Sequence, residues 1–299
     1  MNLIDNMNLF DKIVGRIEIE KGWSGDKKYC AIDVAGEKYL LRVSPLEQYD
    51  RKKKEYDLMR QVADLNIPMC LPIEFGVTNE GVYSIQSWID GTDVESEANK
   101  LTDNEQYLYG FEAGQILKKI HSISAPSCIE DWEVFFNRKI DRKLKMYEDC
   151  PIKYENGQAF IEYINSHRHL LKGRPRTYQH GDYHVGNMMI GKDGKLYIID
   201  FNRCDFGDPW EEFNRIVWCA QAMPSFATGM VNGYFDNKVP EEFWELLALY
   251  ISSNTLSSVP WAIPFGQREI DVMLNQANDI LTWYDNMQKC IPTWYSGTR

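Results

Sequence analysis

The sequence lacks several features that would assign it to a familiar class. No apolar run approaches the roughly 18 residues that a membrane-spanning helix needs. The seven cysteines form no C-x-x-C pair, which argues against a zinc site, and their odd number argues against a disulfide framework. Residues 1–12 lack the basic start and apolar centre of a secretory signal. We therefore expect a cytoplasmic protein with reduced thiols.

Basic residues are also few. Asp and Glu total 44 against 33 Lys and Arg, which gives a net charge of −11. Because binding to nucleic acid usually needs an excess of basic side chains, we expect no nucleic-acid partner, and nothing indicates a membrane partner. An acidic cleft would concentrate cationic small molecules, although acidity also serves solubility.

Internal repeats and low-complexity runs are absent, and 299 residues suffice for one large or two modest domains. Alternating apolar residues and glycine turns predict strands at 13–20, 28–34, 39–43, 73–77 and 82–88, with a helix at 49–65. Helical spacing follows at 105–120, 130–148, 159–171, 210–223, 241–252 and 270–287. The pattern predicts an α+β protein with a small antiparallel sheet domain at 1–89 and a larger, mainly helical domain at 90–299, joined by a turn at 90–93.

The most informative segment lies at residues 180–187, with the sequence H-G-D-Y-H-V-G-N. It is followed by an apolar run, a turn signal at 192–195, and a second apolar run that ends at Asp200. We predict a loop and a short hairpin with Asp200 at its exit. Asp182 and Asn187 are five positions apart, so three groups that handle protons or metals fall in one short stretch.

Phosphoryl transfer needs this combination of groups. An acceptor must hold the attacking hydroxyl and take its proton, and Mg²⁺ on the nucleotide needs oxygen ligands. Protein kinases use an H-R-D-x-x-x-x-N loop and a later D-F-G aspartate for these tasks. Here Gly181 replaces the arginine and Asn202 replaces the final glycine, which argues against a protein kinase with a phosphorylated activation loop.

H-G-D-x-H-x-x-N followed by I-I-D-F resembles the aminoglycoside phosphotransferase family of small-molecule kinases. The similarity includes G-D-P at 207–209 and a helix that ends in L-K-K-I-H at 117–121. It implies a protein-kinase-like two-lobe fold, Asp182 as the catalytic base, and Asn187 and Asp200 as Mg²⁺ ligands. It also implies that His180 orients the loop, that Asp208 ties two loops together, and that Glu212 and Arg215 form ion pairs.

The nucleotide-binding residues are predicted in the first domain. Gly22, Ser24 and Gly25 lie between two predicted strands, where a glycine-rich loop would cover phosphates, although G-x-G-x-x-G is incomplete. Arg42 occupies the position of the kinase strand lysine, and Glu55 on the following helix is its expected partner. The alternative for Arg42 is an ordinary surface ion pair.

Gln86 and Trp88 lie where a kinase hinge would hold the nucleobase through backbone groups. The ring of Trp88 is expected to pack rather than to bind the base.

The leading interpretation is a kinase that uses ATP or GTP with Mg²⁺ to phosphorylate a hydroxyl of a small, cationic molecule. An aminoglycoside-type antibiotic is the first candidate acceptor, which would make the protein a resistance enzyme. Choline, another amino alcohol or a sugar is the alternative acceptor, and a nucleotide-binding pseudokinase without transfer activity is the alternative of another class.

Carboxylates in the helical tail could bind ammonium groups, or simply form solvated helix faces: Glu241, Glu242, Glu245, Asp271 and Asp279. The sequence does not indicate whether the protein is a monomer or a dimer.

Overall fold

The computed structural model describes residues 8–20 and 25–297. The chain divides into two compact units: unit 1 comprises Met1–Asp93 and Asn187–Cys204, and unit 2 comprises Val94–Gly186 and Asp205–Arg299. The hairpin that carries Asp200 therefore belongs to the same unit as the N-terminal sheet. The functional domain limits of 1–89 and 90–299 stay a prediction.

Unit 1 is built on a five-stranded antiparallel sheet in the order β1-β2-β3-β5-β4. Its elements are α1 (Leu9–Lys12), β1 (Ile13–Glu18), β2 (Lys27–Asp33), β3 (Lys38–Ser44), α2 (Tyr49–Ala63), β4 (Pro72–Thr78) and β5 (Gly81–Ser87). Strand alternation places Leu41 and Val43 in an apolar cluster with Phe10 of α1 packed against it, and places Arg42 on the opposite face. The five predicted strands and the predicted helix are present within a few residues of their expected limits.

A second, three-stranded sheet completes unit 1. It consists of β6 (Gly91–Asp93), β8 (Met188–Gly191) and β9 (Leu196–Ile198), in the order β6-β8-β9. The predicted turn at 90–93 thus contributes a strand that pairs with β8. The pairing is close enough to favour glycine at position 91, because a Cβ there would be 2.2 Å from the Ile190 carbonyl oxygen. Backbone hydrogen bonds between Ile198 and residues Pro68 and Cys70 attach the hairpin to the segment between α2 and β4.

Unit 2 is mainly helical. Its helices are α3 (Asp103–Ile120), α4 (Trp132–Asp149), α5 (Gln158–His167), α6 (Ile216–Ala222), α7 (Pro224–Tyr234), α8 (Glu241–Ala262) and α9 (Gln267–Trp283). The short strands β7 (Thr177–Gln179) and β10 (Asp205–Gly207) pair beside the loop that follows β7. Thr102 and Glu105 form a reciprocal capping box that fixes the start of α3.

Several helices of unit 2 depart from the sequence prediction. The predicted helix at 210–223 divides into a 3-10 helix at Glu211–Arg215 and α6 at Ile216–Ala222, and the one at 159–171 ends as a 3-10 helix at Arg168–Leu171. The predicted helix at 241–252 extends to Ala262. Ser252 and Thr255 can lie inside the core because their hydroxyls donate hydrogen bonds to backbone carbonyls one turn earlier. Helix α7 was not predicted, since its small residues hide its apolar face. In the part of the chain that the structure describes, no helix has both the length and the apolar character needed to cross a membrane.

Candidate active site

Asp200 lies two residues beyond β9, where the hairpin releases the chain. Its φ of +67° places it in the left-handed region, which aspartate tolerates better than most residues do. The Ile199 N–H donates to the Asn187 carbonyl at 3.1 Å, so the pairing of β8 with β9 brings Asn187 and Asp200 to the same end of the hairpin. Strained backbone of this kind often occurs at functional positions.

Arg42 contacts Asp200 directly. Its Nη1 donates to Asp200 Oδ1 at 2.6 Å, and its Nη2 donates to Asp26 Oδ2 at 2.9 Å. Burial alone would lower the pKa of Arg42, but the carboxylates of Asp200 and Asp26 outweigh burial and raise it. Lys28, which is opposite Arg42 across β2 and β3, places its Nζ 3.6 Å from Asp200 Oδ2. Arg42 is therefore a buried cation held between two carboxylates rather than a residue in a surface ion pair.

The prediction that Arg42 pairs with Glu55 is wrong. Among the described residues, the partners of Glu55 are Lys52, at 3.0 Å, and Arg51, at 3.6 Å. Lys52 also reaches Asp26 at 2.9 Å, because it lies one helical turn before Glu55 and nearer to that carboxylate. Glu55 is thus connected to Arg42 only through two intervening side chains. We call the resulting network the charge chain; its members are Glu55, Lys52, Asp26, Arg42, Asp200 and Lys28.

Asp26 is the member of the charge chain that sequence reasoning missed. Its side chain is 2% exposed and accepts hydrogen bonds from Ser44, Lys52 and Arg42. Burial would raise its pKa, but Arg42, Lys52 and Ser44 lower it to about 2. The signal available in the sequence was its position just after the glycine turn, one residue before β2.

The other nucleotide-side predictions have mixed outcomes. Gly22 and Ser24 lie outside the described residues; Gly25 is described and exposed, and a Cβ added to it would meet nothing within 4 Å. Gln86 is buried at the end of β5, and its Oε1 has no hydrogen-bond partner among the described residues. Gln86, Arg42 and Asp26 line a small cavity of about 30 Å³ in unit 1. Trp88 is half-buried just after β5. The binding roles of these residues stay predictions.

Asn187 and Asp200 offer an amide and a carboxylate for a metal. Mg²⁺ is commonly held by one or two carboxylates, with the phosphates of a substrate and water supplying the remaining ligands. In the described residues there is no group of three or more His, Cys, Asp or Glu side chains that could hold a metal alone. The strained, partly exposed carboxylate of Asp200 beside two cations fits a Mg²⁺–phosphate complex better than an all-protein metal cage.

The loop between β7 and β8, which carries the predicted catalytic residue, is anchored by buried groups of unit 2. Gly181, with a φ of +84°, donates its N–H to Glu212 Oε1 at 3.0 Å, and the Asp182 N–H donates to His180 Nδ1 at 3.3 Å. His180 is fully buried. The expectation that His180 orients the loop agrees with this contact, and Gly181 meets the positive φ that an arginine would strain.

Asp182 is partly exposed and lies between two basic side chains. Arg215 Nε is 3.3 Å from Asp182 Oδ1, and His184 Nε2 is 3.7 Å from the same oxygen. The ring of Trp218, one turn after Arg215, lies with its centroid 6.3 Å from that of His184. Asp182 is thus available to a ligand while its carboxylate is oriented by Arg215.

Asp208 stabilises the region around the loop between β7 and β8 through buried hydrogen bonds. It is fully buried, and Arg174 donates to both of its oxygens, at 2.7 and 2.9 Å. Tyr250 of α8 donates to the same carboxylate at 2.6 Å, and Gln179 donates to the Asp208 carbonyl at 2.8 Å. The predicted structural role of Asp208 therefore has a physical basis: it joins β7, the segment after β10, and α8.

The tail carboxylates are dispersed. Glu241 and Glu242 are exposed at the start of α8. Asp271 accepts a hydrogen bond from Gln267 of its own helix, and Asp279 accepts one from Gln221 of α6 at 2.6 Å. These contacts describe solvated helix faces and one interhelical contact.

The fold and the site together define a protein-kinase-like phosphotransferase. One unit has an antiparallel sheet with a buried strand cation, and the other is helical and carries an H-G-D loop with a partly exposed aspartate. A model of the phosphotransferase enzyme family (APH) matches residues 16–246. The chain belongs to this family, and the predictions of the fold and of a small-molecule kinase are confirmed.

Solved structures of low identity share the fold. A thermostable mutant of aminoglycoside phosphotransferase APH(4)-Ia, in a ternary complex with AMP-PNP and hygromycin B, aligns with a TM-score of 0.67 at 16% identity, over 93% of this chain and 96% of that chain. A choline/ethanolamine kinase family protein from Mesorhizobium loti aligns with a TM-score of 0.68 at 13% identity, over 95% of this chain and 94% of that chain. At such identities the likeness leaves the acceptor open.

Proposed function

We propose that the protein transfers the γ-phosphate of ATP or GTP to a hydroxyl of a small molecule. The observation that carries the proposal is the state of Asp182, whose carboxylate is partly exposed, oriented by Arg215 at 3.3 Å and held on a loop with buried anchors. A proton acceptor needs this combination of accessibility and fixed geometry.

The transfer step exchanges one phosphorus–oxygen bond for another. The acceptor oxygen forms a bond to the γ-phosphorus, the bond between that phosphorus and the β–γ bridging oxygen breaks, and the nucleoside diphosphate leaves. The hydroxyl proton passes to the carboxylate of Asp182. Arg215 keeps this carboxylate in place, and His184 lies close enough to interact with it.

Unit 1 supplies the nucleotide side of the proposal. Arg42 and Lys28 carry positive charge beside Asp200, which suits the phosphates of a nucleotide. Asn187 and Asp200 would hold Mg²⁺, which supplies neutralisation of phosphate charge when it is bound. The APH(4)-Ia complex, which shares this fold, contains bound AMP-PNP.

Aminoglycoside-type antibiotics remain the first acceptors to test, which would make antibiotic resistance the biological role. The net charge of −11 and the resemblance of the motifs support them. Amino alcohols such as choline are the second candidate, because a choline/ethanolamine kinase family protein shares the fold to the same extent. A cytoplasmic location is part of the proposal, and it is supported by seven free cysteines.

The test is release of nucleoside diphosphate by the purified protein with Mg²⁺, ATP or GTP, and a panel of aminoglycosides, amino alcohols and sugars. We expect Asp182→Asn to lower kcat by about 10²-fold or more while the dissociation constant of the Mg²⁺–nucleotide complex stays unchanged, since only the proton acceptor is lost. Asp103→Asn, an exposed carboxylate at the start of α3, is the matched control and should behave like the wild type.

The same assay decides between enzyme and pseudokinase. Normal turnover of Asp182→Asn would remove Asp182 from the role of proton acceptor. Tight nucleotide binding without turnover across the panel would favour the pseudokinase, and absence of Mg²⁺-dependent nucleotide binding would contradict both functions.

A further inference from the structure

Lys143 occupies an unexpected position in unit 2. It lies on the buried stripe of α4 together with Trp132, Phe136, Ile140 and Tyr147, where helical spacing calls for an apolar side chain. Only 7% of Lys143 is exposed. Within the described residues its ammonium has neither a hydrogen bond nor an ion pair, whereas buried lysines are normally paired.

The charges around Lys143 are mostly of its own sign. Lys139 and Arg142 on α4, and Arg215 after Asp208, are cations whose fields act on it, and Glu211 is the carboxylate that opposes them. Burial, with the like charge of Lys139 as the next cause, lowers the pKa of Lys143 to about 7. A buried amine in a positive environment is destabilising unless something else compensates for it.

Glu211 is already committed to other partners. It accepts a hydrogen bond from Lys139 Nζ at 3.0 Å and another from Gln179 Nε2 at 3.2 Å. Lys139, Arg142, Lys143 and Arg215 therefore carry more positive charge than Glu211 offsets, and an anion would complement this basic cluster.

Arg215, one of the cations around Lys143, also lies next to the proposed proton acceptor Asp182. Its Nε lies 3.3 Å from Asp182 Oδ1, so a ligand that contacts Arg215 is next to the proposed proton acceptor. The side chains of Arg215 and Lys139 are 25% and 28% exposed, so these two cations are accessible to solvent.

We propose that Lys143 and Arg215 form an anion-binding subsite of the acceptor pocket, so that the acceptor carries a carboxylate or phosphate group in addition to the hydroxyl that is phosphorylated. This inference rests on the proposed phosphotransfer. It favours acceptors other than the aminoglycosides and choline considered above, because those compounds carry no carboxylate or phosphate. It differs from the cationic acceptor that net charge indicates, and a zwitterionic molecule is the one kind of compound that satisfies both.

The first experiment compares acceptors that differ only in the anionic group. Homoserine is paired with 3-amino-1-propanol for the carboxylate, and glycerol 3-phosphate is paired with glycerol for the phosphate. We expect the wild type to prefer the anionic member of at least one pair, and which pair responds identifies the group. In Lys143→Met the preference should fall by about tenfold to a hundredfold through KM, as expected for loss of one charge-assisted hydrogen bond.

Two further variants guard against a merely structural effect. Lys143→Arg keeps the charge and should retain part of the preference. Lys145→Met removes an exposed lysine of the same helix, which pairs with Glu148 and Asp149, and should leave the preference intact. A wild-type preference for the uncharged members, or an unchanged preference in Lys143→Met, would overturn the inference.

The second experiment measures binding and does not need turnover. Calorimetric titration with inorganic phosphate at pH 7, in buffers of different ionisation enthalpy, reports proton uptake when an anion raises the pKa of Lys143. Binding at the nucleotide side would be the same in wild type and in Lys143→Met, so the difference between them isolates the subsite. Proton uptake in the wild type alone supports the subsite even if no acceptor is phosphorylated, and identical titrations of the two proteins contradict it.

Discussion

At the scale of single residues, the charge chain in unit 1 shows how a buried cation is tolerated. Arg42 is held between Asp26 and Asp200, and Lys52 extends the network to Glu55. Breaking a buried ion pair by removing one partner leaves an uncompensated charge, which typically costs about 3–5 kcal/mol. The carboxylates of Asp26 and Asp200 therefore offset the cost of burying Arg42.

Asp26 makes the folding stability of the protein depend on pH in a direction that can be predicted. Because its pKa in the folded protein is lowered to about 2, the unfolded chain binds the proton more tightly, and folding stability rises with pH. The contribution, about 2 kcal/mol, is fully present above the unfolded pKa of about 4 and is lost as the pH falls towards 2. Urea unfolding between pH 5 and pH 2.5 should show a steeper loss in the wild type than in Asp26→Asn.

The exposed Glu37→Gln variant is the control for this measurement, and its pH profile should follow the wild type. Parallel profiles for the wild type and Asp26→Asn would mean that Asp26 does not contribute to stability through its ion pairs.

At the scale of elements, the contact between α3 and α7 depends on four glycines. A Cβ at Gly110 would lie 2.1 Å from the Phe226 carbonyl oxygen, and one at Gly114 would lie 2.1 Å from that of Met230. Gly229 and Gly233 approach α3 in the same way. The helices therefore meet backbone to backbone beneath His121, whose ring is hydrogen-bonded to Tyr234 at 2.9 Å.

We expect Gly114→Ala to lower the free energy of unfolding by about 1–3 kcal/mol, because rigid backbone on α7 must move to admit the methyl group. Thermal or urea unfolding measures the loss. Gly25→Ala, where nothing lies within 4 Å of the added Cβ, should be close to neutral. Equal midpoints for Gly114→Ala and the wild type would contradict the close packing.

The elements also show which features the sequence could predict. The hairpin with Asp200 at its exit follows from local signals, namely two apolar runs around a turn, and Arg42 follows from strand alternation. The partner of Arg42 does not, because the choice between Asp26 and Glu55 depends on strand register and on where α2 begins. Helix α7 was missed because its glycines, which lower helix propensity, are required by packing against α3.

At the scale of the whole molecule, the residues that we propose for phosphoryl transfer fall in both compact units. Asn187, Asp200 and Arg42 belong to unit 1, and Asp182 and Arg215 belong to unit 2. The chain crosses between the units within five residues of Asp182, which the prediction of a single loop did not anticipate. Family and fold followed from the motif, whereas the basic surroundings of Lys143 are a tertiary property that no linear pattern showed.

This division predicts separable effects of mutation. Asp200→Ala should weaken Mg²⁺-dependent nucleotide binding by at least about tenfold, since the proposed metal ligand is lost, whereas Asp182→Asn should not change it. Calorimetric titration with a non-hydrolysable ATP analogue, with and without Mg²⁺, measures this. Asp193→Ala, in the turn of the same hairpin, is the control; an Asp200→Ala variant that binds as well as the wild type would rule out the metal role.

The most direct test of the central claim is ³¹P NMR of a reaction containing the protein, Mg²⁺, ATP or GTP, and the best acceptor of the panel. Phosphoryl transfer predicts a new phosphomonoester signal that grows in step with the nucleoside diphosphate and is nearly absent with Asp182→Asn. Formation of inorganic phosphate alone, or an unchanged nucleotide spectrum with every acceptor, would contradict the account.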